Sequence, residues 1–284
     1  MQVVSTQEDF DKICEELSKE KILFIDTEFC RRRTYYAILS VIQIASQNHE
    51  VVIDVLSDIN IKSLNGIFSN EKIIKVLHSA DQDFDIFYHM FGKLPKNVFD
   101  TQIAAGVVGL DAGIGYARLC KTLLHINIDK TLQKADWLKR PLEKNLLNYA
   151  IKDVEYLVTL HRELSKTITE RNLWDTYELR SKKLLSEESY KTQPEKIMKR
   201  MNLYKISDHI KKNLSHFIEL REECAKELDI PRGYCASDRD LIEICEKLPT
   251  TDRVLLNLRI QNKLITKRKF KDKLLELCSG LKET

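Results

Sequence analysis

The chain has 284 residues, with 46 Lys and Arg against 43 Asp and Glu, for a formal net charge of +3. That length suits one large domain followed by a small one, and the near balance of charge excludes a global positive field, so nucleic-acid affinity would have to come from local basic clusters. Seven cysteines, odd in number and without a C-x-x-C pair, argue against a disulfide framework and a zinc site and read as reduced thiols.

Glu8, Asp9 and Asp11 follow soon after Met1, in place of the basic and then apolar run of a signal peptide. The short, β-branched runs Ile22 to Ile25, Val51 to Ile53 and Ile73 to Leu77 alternate with helical patterns and predict strands of a largely buried sheet. Ile38, Val41, Ile42 and Ile44 predict a further strand with no helix before it, so part of the sheet is expected to be antiparallel. The longest mostly apolar stretch, Tyr35 to Ala45, is interrupted by Ser40 and Gln43 and is too short to cross a bilayer. The expectation is a cytoplasmic protein with no membrane partner and no obligate protein partner.

From Asp100 the pattern turns helical, and Lys144 to Arg171 carries Leu146, Leu147, Ala150, Val154, Leu157, Val158, Leu160 and Leu164 at the spacing of one long helix. Apolar density falls around Glu187 to Ser207, where Tyr190-Lys191-Thr192-Gln193-Pro194 opens a linker. Beyond it, Phe217, Leu220, Cys224 and Leu228 form one helical stripe, and Leu241, Ile244, Cys245 and Leu248 another that Pro249 ends. The predicted architecture is therefore α/β, a mixed sheet flanked by helices, over residues 1–185, then a linker over 186–207 and a small all-α unit over 208–284.

The candidate chemistry begins at Asp26-Thr27-Glu28. Residues two apart on a strand share a face, so two carboxylates project together from a core strand. Like charges about 4 Å apart repel by roughly 1 to 4 kcal/mol, a cost that a bound cation removes; the D-x-E pair alone favours a strand end with a solvated glutamate over a metal site. After the next buried strand, Asp81, Asp83 and Asp85 open a helix, where acids are favoured by the macrodipole alone. Asp83 shares a face with Phe87 and Met90 and points inward, while Asp81 and Asp85 share a face with His89. His78 either meets a substrate or is simply hydrogen-bonded at a strand end. On the long helix Tyr149 and Asp153, four apart, lie on one face beside the apolar stripe.

Taken in order, Asp26-x-Glu28, His78-x4-Asp83 and Tyr149-x3-Asp153 resemble the three exonuclease motifs of the DEDD superfamily. Position 148 is Asn148 rather than the histidine of one branch, and Tyr149 fits the tyrosine branch. Within that branch Asp26-Thr27-Glu28-Phe29, Arg31, Thr34-Tyr35-Tyr36, Ile42-Gln43, Asp100-Thr101-Gln102, Asp129-Lys130-Thr131, Asp136-Trp137 and Arg140-Pro141-Leu142 are similar to bacterial ribonuclease D. In the second unit Leu220-Arg221-Glu222, Ala225-Lys226, Ile230-Pro231-Arg232 and Leu241 to Pro249 resemble one copy of the helical nucleic-acid-binding domain shared by RecQ-type helicases and ribonuclease D (HRDC).

The resemblance implies a ribonuclease H-like fold and a 3′-5′ exoribonuclease that releases nucleoside 5′-monophosphates. Its partner would be RNA, with 3′-extended transfer RNA precursors as substrate. It implies that Asp26, Glu28, Asp83 and Asp153 bind two divalent ions, Mg²⁺ or Mn²⁺, and that Tyr149 orients or activates the attacking water. Thr27, Arg31, His78 and Lys130 are the implied substrate contacts. All-oxygen ligation suits those ions rather than zinc. Arg259, Lys263, Lys267, Arg268, Lys269, Lys271 and Lys273 form a dense basic run, read equally as a phosphate-binding surface or a solvated helix face. Two other functions use the same features: a DNA-directed exonuclease, and a non-catalytic RNA-binding module that the presence of all four acids disfavours.

Overall fold

The structure, a computed structural model, describes residues 1–129, 131–204, 206–260, 264–265 and 267–282, with the backbone alone for Arg268 and Lys269. Two compact units emerge, one formed by Met1–Cys30 and Ile38–Tyr190, the other by Arg31–Ala37 and Lys191–Thr284. Among the described residues no helix is long and apolar enough to cross a membrane. All seven cysteines are free thiols.

In the first unit the elements run β1 (Gln2–Val4), α1 (Gln7–Leu17), β2 (Ile22–Cys30), β3 (Ile38–Ala45), β4 (Glu50–Asp54), α2 (Leu64–Ser69), β5 (Ile74–Leu77), α3 (Asp81–Phe91), β6 (Val98–Asp100), α4 (Thr101–Val107), α5 (Tyr116–Leu124), α6 (Lys144–Glu170) and α7 (Trp174–Ser181). The strands form one sheet in the order β1-β4-β3-β2-β5-β6. β3 is antiparallel to β2 and to β4, and the other three pairings are parallel. The mixed sheet expected from the unbroken run after β2 is thus present. Two strands went unanticipated, since β1 and β6 have only three residues each, too few to show a period.

Side-chain rows across the sheet place the chemistry. Asp26 on β2 stands opposite Gln43 on β3, which stands opposite Val52 on β4. The next row on that face is Glu28, Val41 and Asp54. Val41 and Val52 pack with Trp137, Leu146 and Ala150, so this face is the one covered by α6. That helix runs for 27 residues, about 40 Å, and buries Leu146, Ala150, Val154, Leu157, Leu160, Leu164 and Ile168 at helical spacing. It packs against β2 and β3. On α3, Phe84 and Phe87 are fully buried, each worth about 2–3 kcal/mol on removal from water. Met90, expected on the inward face, is 43 % exposed, because the helix ends one residue later at Phe91 and Gly92 turns the chain at φ +70°.

The second unit comprises α8 (Pro194–Met198), α9 (Asp208–Glu227), α10 (Arg232–Cys235), α11 (Asp238–Lys247), α12 (Asp252–Leu256) and α13 (Arg268–Lys282). Ser237 caps α11 with a reciprocal bond from Asp240, a capping box. Phe217, Ile218, Leu241, Ile244, Leu274 and Cys278 form its core, while Leu228, predicted on the apolar stripe, caps α9 and is 46 % exposed. The seven-residue excursion 31–37 belongs to this unit. There Tyr35 donates its hydroxyl to the buried Glu222 carboxylate at 2.9 Å, and the Tyr35 and Tyr36 amides donate to Asp229 Oδ1 at 3.0 and 3.1 Å. Arg221, buried, pairs with Glu222 at 3.3 Å and Asp238 at 2.6 Å.

Candidate active site

β2 outruns its parallel neighbour. Phe24, opposite Val76, is its last residue in register with β5, whereas pairing with β3 continues through Asp26, Thr27 and Glu28. The space beyond the carboxyl end of β5 opens as a cleft of about 460 Å³, the place where α/β sheets commonly hold ligands. Asp26 and Glu28 enter it from β2, Asp83 from the first turn of α3, and Tyr149 and Asp153 from one face of α6. Thr27 and His78 line it too.

Several of these side chains are held by a neighbour. The Thr27 hydroxyl donates to Oδ1 of the buried Asp83. Tyr149 is hydrogen-bonded to Asp153, and its ring lies 6.1 Å from that of Trp137. Arg140 keeps Trp137 in place by donating Nη1 to the Trp137 carbonyl at 2.6 Å, with Nε 2.8 Å from Asp54 Oδ2 and Nη2 2.7 Å from Asp54 Oδ1.

The turn between β5 and α3 needs a left-handed residue, and Ser79 supplies it at φ +59°. One buried carboxylate fixes that turn. Asp100 accepts from the amides of Ser79 and Ala80 at 3.3 and 2.9 Å, and from those of Gln102 and Ile103 at 2.7 and 3.1 Å, so it also caps α4. The Thr101 hydroxyl donates to the Leu77 carbonyl at 3.0 Å. It must then accept from His78 Nδ1 at 2.9 Å, which puts the ring proton on Nδ1.

Electrostatics in the cleft run one way. Burial, followed by the charges of Asp153, Asp83 and Glu28, pushes the Asp26 carboxyl well above the usual range. Asp26 keeps partial exposure to the cleft, yet enclosure by protein remains the leading cause. Glu28 is pushed up to about 8, first by burial and then by Asp153 and Asp83. Burial and the same carboxylates also raise the Tyr149 phenol, so it stays protonated at neutral pH. None of the described residues lining the cleft is a lysine or arginine. Among the described residues, no three His, Cys, Asp or Glu side chains converge as a preformed cage for one ion; the acids stand around an open space.

Of the residues singled out from the sequence, Asp26, Thr27, Glu28, His78, Asp83, Tyr149 and Asp153 line one cleft. Arg31 belongs to the second unit and is not among the lining residues. Lys130 lies outside the described residues. Tyr116 was not anticipated: it lines the cleft, donates its hydroxyl to the Lys152 carbonyl at 3.0 Å and sets its ring 5.6 Å from His78. It opens α5, where Tyr116, Leu119, Cys120, Leu123 and Leu124 fall at helical spacing, a signal that reads as core and does not set Tyr116 apart as a site residue. In the basic run, Lys271 pairs with Asp252 at 2.7 Å and Lys273 with Glu223, while Arg259 and Lys267 are exposed. Lys263 and the side chains of Arg268 and Lys269 lie outside what is described.

Comparison with known proteins agrees with this architecture. The family model described as "3'-5' exonuclease" matches residues 1–169, and that of the HRDC domain matches residues 212–278. Ribonuclease D of Nitrobacter hamburgensis is 34% identical over 263 residues, 91% of this chain and 68% of that protein. Ribonuclease D of Gluconacetobacter diazotrophicus is 32% identical over 258 residues, 90% of this chain and 66% of that one. The chain therefore spans about two thirds of the length of these curated relatives. The crystal structure of Escherichia coli RNase D, described as an exoribonuclease involved in structured RNA processing, superposes with a TM-score of 0.85 at 26% identity, covering 100% of this chain and 75% of that one. With an acidic cleft on its mixed sheet and a separate helical unit, the chain belongs to the 3′-5′ exonuclease family, among the ribonucleases D.

Proposed function

We propose that this protein is a divalent-metal-dependent 3′-5′ exoribonuclease that releases nucleoside 5′-monophosphates one at a time, with 3′-extended transfer RNA precursors as its natural substrate. The observation that carries the reading is a single cleft lined by four carboxylates, with a tyrosine hydrogen-bonded to one of them and no described lysine or arginine among them. Carboxylates so enclosed are costly without a cation, in keeping with the upward direction of the Asp26 and Glu28 carboxyls. The donor set is all oxygen, which fits Mg²⁺ or Mn²⁺.

In this reading Asp26, Glu28, Asp83 and Asp153 would hold two ions. Bound there, the ions would activate a water and offset charge on the attacking and leaving oxygens of the phosphodiester. Tyr149, hydrogen-bonded to Asp153, would orient or activate that water through its phenol. Thr27 spends its hydroxyl proton on Asp83, which leaves its oxygen as an acceptor for a ribose hydroxyl. His78, with its proton on Nδ1, offers Nε2 as an acceptor in its neutral form. Arg31 and Lys130 remain candidate phosphate contacts on chemistry alone.

We assign catalysis to a domain of residues 1–185, joined through 186–207 to a nucleic-acid-binding domain of 208–284. The test is release of mononucleotides from 3′-extended transfer RNA and from single-stranded DNA, with Mg²⁺, with Mn²⁺ and with chelator. Metal-dependent release from the RNA 3′ end is expected. Internal cleavage, full activity in chelator, or preference for DNA would refute the assignment.

A further inference from the structure

Gln43 lies in the middle of β3 with its side chain fully buried, and neither its amide nitrogen nor its amide oxygen meets a hydrogen-bond partner. A buried amide left in this state is destabilising, and a methionine of similar length would fill the space without the penalty. Register shows what the amide stands next to. Gln43 is directly opposite Asp26 in the antiparallel β2–β3 pair, and opposed residues share a face with Cβ atoms about 4.5–5.5 Å apart. Its other neighbour, Val52, packs with Trp137 and Ala150 on the α6 side. The amide therefore lies on the same side of the sheet as the Asp26 carboxyl.

We propose that Gln43 is a positioning residue for Asp26, its amide N–H fixing the orientation of the Asp26 carboxylate when that carboxylate binds a divalent cation. The inference rests on the metal-binding reading of the cleft. A neutral donor suits the place: it can hold one carboxylate oxygen without bringing a positive charge that would compete with the ion. A lysine or arginine there would fill the cation's role itself. Partners of this kind, one step behind a metal ligand, typically govern metal affinity by 10–100-fold.

The experiment measures Mn²⁺ binding by titration calorimetry, together with thermal melts in chelator, for the full-length wild type, Gln43→Met and Asp26→Asn. Gln43→Met should melt at or above the wild-type temperature without metal, yet bind Mn²⁺ about tenfold or more weakly. A side chain that only supported the core would lower the metal-free melt and leave the Mn²⁺ affinity unchanged. Unchanged affinity in folded Gln43→Met, with binding lost in Asp26→Asn, overturns the inference and leaves the metal-binding reading standing. Absence of Mn²⁺ binding in the wild type, or wild-type affinity in Asp26→Asn, overturns the reading itself. If Gln43→Met does not fold, Gln43→Leu carries the same comparison; failure of both to fold shows the amide to be a core support and also overturns the inference.

Discussion

Replacing Glu28 by glutamine should make the metal-free protein more stable at neutral pH, and the size of the gain follows from the cleft. Glu28 is held at about 8 in the folded protein against an ordinary 4.5 in the unfolded chain. Between those values the folded state keeps a proton that the unfolded state has released, so stability falls as pH rises, by 1.36 kcal/mol per pH unit at most. The contribution is fully present below pH 4.5 and gone above pH 8. From pH 5 to pH 7 the loss from Glu28 alone is about 2.5 kcal/mol, or about 2 kcal/mol once its partial exposure is discounted. Glu28→Gln removes this slope. Between pH 5 and pH 7 in chelator its margin over the wild type should grow by about 2 kcal/mol, a rise of about 3–4 °C in melting temperature for 284 residues, and the margin should vanish below pH 4.5. Saturating Mn²⁺ should reverse the order, since a ligand at a hundred times its Kd adds about 2.7 kcal/mol to the form that binds it. Thermal melts of both proteins at pH 5, 6, 7 and 8, with chelator and with Mn²⁺, read the difference. A variant less stable than wild type at pH 7 in chelator, or a constant difference across the pH range, would refute the account of four crowded acids.

Asp26→Asn should lower hydrolysis by about a thousandfold in Mg²⁺ and in Mn²⁺ while leaving RNA binding intact, as an exonuclease assay beside an anisotropy titration would show. Tyr149→Phe should lower kcat about a hundredfold with little change in KM, and an unchanged single-turnover rate would return Tyr149 to the role of a core aromatic. Replacing Arg259 and Lys267 by glutamine should weaken RNA binding and reduce the slope of log affinity on log salt by about 1.4 if each meets one phosphate of a single strand. Lys271→Gln and Lys273→Gln, whose charges are already matched by Asp252 and Glu223, should change that slope less.

What the sequence disclosed was what has a short period. The two-residue repeat put Asp26 and Glu28 on one strand face, the faces of α3 separated buried Asp83 from exposed Asp81, and the four-residue step paired Tyr149 with Asp153. Features built by distant residues left no such mark. The pairing of His78 with Thr101 spans 23 residues, and the grip of Asp100 on Ala80 spans 20. Lys271 and Lys273 looked like free cations because their acids lie 19 and 50 residues away. Arg31, an implied substrate contact, lies close in sequence to the acidic strand. Nothing local revealed that the chain leaves the first unit after Cys30 and returns at Ile38.

That excursion has a consequence for how the protein is made. Tyr35 emerges from the ribosome with the first strands, but its partners Glu222 and Asp229 follow 187 and 194 residues later. Contacts so distant along the chain form late, after the loop between them has been closed at an entropic cost. During synthesis the tyrosine therefore waits for its partners until the helical unit has been made. A helical fragment expressed from Lys191 onward would lack residues 31–37, and with them the phenol that meets the buried Glu222 carboxylate. Its boundary in sequence is not its boundary in space, and a dissection by residue number alone leaves that fragment one aromatic ring short.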